Sequence, residues 1–63
     1  MEEEEFYQHF CSVIRRLGQV KLKNIAAIAE VSIPEARKCL NKLVKSGKIK
    51  KIGAGPSTAY IFN

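Results

Sequence analysis

Val31-Ser32-Ile33-Pro34-Glu35 constrains the fold more than any other stretch of this chain. The Ser32 hydroxyl can accept the backbone N–H of Glu35, and the Glu35 carboxylate can reach back to Ser32, which makes the reciprocal pair of a capping box. Pro34 falls in the first turn, where its missing N–H costs nothing. A helix therefore begins here, and any helix before it must end within a few residues. The preceding segment, from about Leu22 or Lys23 to Glu30, places Leu22, Ile25, Ile28 and Ala29 on one side at helical spacing. Ala26 and Ala27 keep that second helix slim, so another helix can approach it closely. Two helices joined this tightly are a helix-turn-helix. Lys21, at the start of the second helix, is not a side chain that caps.

The helix that starts at Ser32 is expected to run to about Ser46 and stop at Gly47. At 100° per residue, Ala36, Cys39, Leu40, Leu43 and Val44 form its inner side. Upstream, Phe6, Phe10, Val13, Ile14 and Leu17 recur at three- and four-residue steps and predict a first helix over Phe6–Leu17. Its glutamates at the start and Arg15-Arg16 at the end both suit the helix dipole, and Gly18 follows as a left-handed cap. Val20, between polar neighbours, is expected to form at most a brief strand. Downstream, Lys48–Ile52 and Ala59–Phe62 are rich in Ile, Tyr and Phe and flank Gly53-Ala54-Gly55-Pro56-Ser57-Thr58, the pattern of a β-hairpin. The expected class is α+β, mainly α: three helices and then a two-stranded hairpin, with a possible short strand between the first two helices.

Sixty-three residues allow one small domain, spanning 1–63. No apolar run is long enough to span a bilayer, and the Glu2–Glu5 start is opposite in charge to a signal peptide, so a cytoplasmic protein is expected, nuclear in a eukaryote. Cys11 and Cys39 are too few for a disulfide framework and are read as reduced core residues. His9 is the only histidine, and no nucleophile–base pair or carboxylate dyad is visible. Neither catalysis, a metal nor a cofactor is expected. Tyr7, Phe10, Tyr60 and Phe62 are expected in the core rather than stacked on bases.

Charge is the functional signal. The net charge is +5, but four of the six acids are Glu2–Glu5, and from Phe6 onward only Glu30 and Glu35 oppose eleven Lys and Arg. From Ala36 to Asn63 there are seven cations and no acid, whereas an ordinary solvated surface mixes signs. The outward side of the third helix carries Pro34, Lys38, Asn41 and Lys45, flanked by Arg37 and Lys42. Such a face suits a polyanion: Lys and Arg meet phosphate or a guanine edge, and Asn can pair bidentately with adenine. Arg37 and Asn41 are the candidates for discriminating bases. The hairpin adds Lys48, Lys50 and Lys51, and Ser57 and Thr58 serve either as turn residues or as donors to phosphate. Gly53 and Gly55 are read as turn geometry. Lys21, Lys23 and Asn24 lie at the start of the second helix, where free N–H groups favour an anion.

Taken together, Ile25-Ala26-Ala27-Ile28-Ala29, Val31-Ser32, Ala36-x-x-x-Leu40-x-x-Leu43 and Gly47-Lys48-Ile49 resemble the winged helix-turn-helix superfamily over about Phe6 to Phe62. The resemblance implies duplex DNA as partner, with the third helix (about 33–46) in the major groove and the hairpin wing (48–62) on the backbone, as in a small transcriptional regulator. The alternative is an interaction module of a larger assembly that applies the same basic face to RNA or an acidic protein. Ala36-Arg37, Leu40, Leu43, Gly47 and Ile49-Lys50 are also similar to a winged-helix family of small-subunit ribosomal proteins. A more distant likeness is to the winged helices that bind Z-form nucleic acid. Arg37 and Asn41 stand where that family has its Asn and Tyr, Pro56 matches its wing proline, and its tryptophan has no counterpart. Helix-turn-helix regulators commonly pair as homodimers, for which only the first helix is free here.

Overall fold

In the computed structural model, which describes residues 1–63, the chain runs α1 (Glu3–Leu17), α2 (Leu22–Ala29), α3 (Ile33–Lys45), β1 (Ile49–Ile52), a 3-10 turn (Gly55–Ser57) and β2 (Ala59–Phe62). The order is the one expected from the sequence. Helix α1 begins three residues before Phe6 because Glu3, Glu4 and Glu5 occupy its first turn, where the helix dipole favours negative charge. Gly18, at φ 79°, ends it.

The turn between α2 and α3 departs from expectation at both of its ends. Glu30 does not extend α2: it adopts the left-handed conformation at φ 57°, and the following Val31 N–H bonds back to the Ala26 carbonyl at 3.0 Å. On the α3 side, Ser32 accepts the Glu35 N–H at 3.3 Å, but the Glu35 carboxylate turns away to accept the Cys39 thiol at 3.8 Å. Only half of the capping box therefore forms, because a buried thiol four residues on competes for the carboxylate. Helix α3 closes with a full left-handed motif: Gly47, at φ 82°, donates to Val44 and Lys48 donates to Leu43, both at 3.1 Å.

Strands β1 and β2 pair antiparallel, with Ile49 opposite Phe62 and Ile52 opposite Ala59. The brief strand expected near Val20 is a single bridge to the free edge of β2. Val20 N donates to Tyr60 O at 2.9 Å, and Tyr60 N donates to Val20 O at 2.8 Å. This bridge ties the start of α2 to the hairpin.

Phe6, Phe10, Val13, Val20, Ile25, Leu40, Leu43 and Ile49 are fully enclosed and hold the three helices and the hairpin around one core. Apolar burial of this kind contributes about 25 cal/mol per Å2. Three inward assignments are corrected, the first being Leu17, which closes the apolar face of α1 in the sequence but is 57% exposed at the end of the helix. Helix α2 buries Ile25, Ala26 and Ala29, while Ile28 is 40% exposed. The small Ala26 faces inward because its slimness lets α2 lie close to its neighbours. Val44, expected on the inner side of α3, is 37% exposed. It sits at the margin of the apolar arc, where Leu40 and Leu43 already fill the contact.

The cysteines also divide. Both are free, but Cys39 is buried and Cys11 only half-buried, like His9. Phe10 and Tyr60 are in the core as expected. Tyr7 and Phe62 instead form a half-covered aromatic cluster with Phe10 at the seam of α1 and the hairpin, with ring centroids 5.8 to 6.4 Å apart. No helix is long and apolar enough to cross a membrane.

Candidate nucleic-acid interface

Two depressions define the basic face. The first runs along the outer side of α3 and is lined by Pro34, Arg37, Lys38, Asn41, Lys42, Val44 and Lys45. Helical periodicity gathers these side chains, since residues three and four apart share a face. The second is a groove between the start of α2, α3 and the hairpin, about 560 Å3 in volume. It is lined by Lys21, Lys23, Asn24, Arg37, Lys51 and Thr58, together with Leu22, Gly55, Pro56 and Tyr60. Arg37 lines both, so the two form one continuous surface. Seven of the eleven cations lie on it (Lys21, Lys23, Arg37, Lys38, Lys42, Lys45 and Lys51), and no acid lines either depression.

The groove exists because of the Val20–Tyr60 bridge. Tying Val20 to β2 carries Lys21–Asn24 against Lys51 and Thr58, residues some thirty positions away in the chain. Lys21 is extended and offers no cap, and the first turn of α2 contains no acid. The free N–H groups of that turn therefore add positive potential to the groove.

Of the residues read from the sequence, Arg37, Lys38, Asn41, Lys42 and Lys45 come together on α3, and Lys23, Asn24, Lys51 and Thr58 meet Arg37 in the groove. Three do not join them. Lys48 turns to the opposite side, where its ammonium lies 3.8 Å from the Glu3 carboxylate and 5.2 Å from the centre of the Tyr7 ring. A carboxylate and an aromatic face attract it there, so it is a brace between α1 and the hairpin. Lys50 alternates with Lys51 along β1 and so projects from the other face of the hairpin. Ser57 is exposed on the 3-10 turn outside the groove.

The Thr58 hydroxyl donates to the Gly55 carbonyl at 2.9 Å, so its proton serves the turn and is not free for phosphate. Gly53 is also turn geometry: at φ 76°, a Cβ on it would lie 2.6 Å from the Ser57 carbonyl oxygen. Lys21, read from the sequence with Lys23 and Asn24, joins the groove, and Val44 is the addition, since its periodicity pointed inward.

A helix-turn-helix whose second member presents a basic face, followed by a hairpin that packs back beside it, defines a winged helix-turn-helix domain. The family described as transcriptional regulator DIP2311-like, C-terminal domain, matches residues 3–63, and the chain belongs to that family. Its fold is similar to that of the DIP2311 protein from Corynebacterium diphtheriae. That crystal structure aligns with a TM-score of 0.85 over 98% of this chain at 21% identity. The chain spans 11% of the length of that protein. Comparison with curated proteins finds no match.

Proposed function

We propose that this domain binds duplex DNA as the DNA-contacting module of a transcriptional regulator. Helix α3 enters the major groove, and the groove between α2 and the wing seats on the adjacent phosphate backbone. The continuity of the two depressions through Arg37, with seven cations and no carboxylate, carries this reading. Lys38, Lys42, Lys45, Lys23 and Lys51 neutralise phosphates, while Arg37 and Asn41 reach base edges. Family membership among transcriptional regulator domains supports the same partner. A single module makes few base contacts, so binding by this chain alone is weak and permissive, and tighter binding needs a paired half-site.

The test is a fluorescence titration with random duplex DNA, structured RNA and heparin at two salt concentrations. If five or six of the seven cations reach phosphate, log affinity for the duplex falls against log salt with a slope of about −5. Duplex preference with that slope supports the proposal. Equal affinity for heparin, preference for RNA, or no duplex binding at low salt overturns it.

A further inference from the structure

Val44 is the one aliphatic side chain lining the depression on the outer face of α3, among four cations and an amide, and it is 37% exposed, as is Ile33 at the helix start outside that depression. At 100° per residue, Val44 falls about 20° from Arg37 two turns later, so the two share one edge of the face, while Lys38 and Lys42 hold the other. Along the axis Val44 lies about 4.5 Å beyond Asn41, at 1.5 Å per residue. An offset of that size lets Val44 reach the base pair next to the one that Asn41 contacts, one step being about 3.4 Å.

An exposed valine amid lysines gains nothing against phosphate, and the surrounding charge repels an apolar protein partner. The floor of the major groove offers one apolar group, the thymine C5-methyl. We infer that Val44 is a specificity residue that packs on the methyl of a thymine one step from the adenine paired by Asn41. The inference rests on the DNA-binding reading above and deepens it. Arg37 and Val44 on one edge of α3 and Asn41 at its centre then read the bases, and Lys38 and Lys42 on the other edge hold the backbone. The methyl also sets DNA apart from RNA, where uracil lacks it and the major groove is too narrow for a helix.

The experiment begins with enrichment of a preferred duplex from a random library by the wild-type chain. Each thymine of that duplex is then replaced singly by deoxyuridine, which removes only the methyl, and affinity is measured for wild type and Val44→Ala. Burying one such methyl is worth about fourfold. At one thymine, wild type weakens by about that factor while Val44→Ala is indifferent to the change. In the wild-type complex, nuclear Overhauser contacts join the Val44 methyls to that thymine methyl, a readout that needs no variant. Salt-dependent duplex binding with no methyl-sensitive thymine, with equal sensitivity in both proteins, or without those contacts overturns the role of Val44 and leaves the DNA-binding reading intact. Failure to bind any duplex removes both.

Discussion

Replacing Arg37 separates charge from base reading. Each phosphate contact contributes about 0.9 to the slope of log affinity against log salt, which at 0.1 M is about eightfold, or about 1.2 kcal/mol. Lys38 lines only the α3 depression and is assigned to phosphate. Lys38→Ala therefore loses about eightfold at 0.1 M, flattens the slope by about 0.9, and matches wild type when extrapolated to 1 M. Arg37 lines both depressions and carries a planar fork suited to guanine. Arg37→Ala keeps a deficit of about 1–3 kcal/mol at 1 M on the enriched duplex, the worth of a bidentate base contact, and shows none on a scrambled duplex. Arg37→Lys restores charge without the fork, so its slope recovers but its base preference does not. Fluorescence anisotropy over a salt series on both duplexes reads all three variants. If Arg37→Ala tracks Lys38→Ala at every salt concentration, or loses equally on both duplexes, Arg37 is charge alone and its assignment to a base is refuted.

Three further outcomes test the fold that positions the site. Gly53→Ala puts a Cβ 2.6 Å from a backbone oxygen at a positive φ; thermal melting is expected to show a loss of about 1–3 kcal/mol, and an unchanged melting point contradicts the turn geometry. Glu30→Gly relieves a left-handed residue at φ 57° and is expected to stabilise the chain by about 1 kcal/mol in urea titration, whereas destabilisation means the Glu30 side chain is needed. Burial, reinforced by the Glu35 carboxylate, raises the Cys39 thiol above its ordinary 9.0, and burial with Cys11 alongside raises the Tyr7 phenol above 10.0. The folded chain thus holds both protons more tightly than the unfolded one, so stability is full below about pH 9 and falls as pH rises through the raised values. Cys39→Ala lessens that alkaline loss, and a pH profile identical to wild type argues against it.

What could be read from the sequence was what local chemistry determines. Ser32 and Pro34 fix the start of α3 through groups three residues apart, and Gly18 and Gly47 fix helix ends through their own backbone. The outward α3 face was legible because one helix carries Arg37, Lys38, Asn41, Lys42 and Lys45. What failed depended on distant partners. Cys39 diverts Glu35 from the cap, and Ala26 rather than Ile28 faces inward because α2 needs closeness more than bulk. Lys48 reads as wing charge until Tyr7 and Glu3 are seen beside it. The groove was least visible, because one bridge from Val20 to Tyr60 assembles residues from both halves of the chain. In the sequence that bridge shows only as an apolar residue between polar ones.

The central claim, that α3, the start of α2 and the inner side of the wing form one surface for duplex DNA, is tested most directly by amide chemical-shift mapping. Titration with a short duplex is expected to move the amides of Lys21–Asn24, of the exposed side of α3 from Arg37 to Lys45, and of Lys51 and Thr58 together. The α1 face around Glu3, Tyr7 and Lys48 is expected to stay still. Shifts confined to α3, or centred on the Lys48 side, would contradict the account.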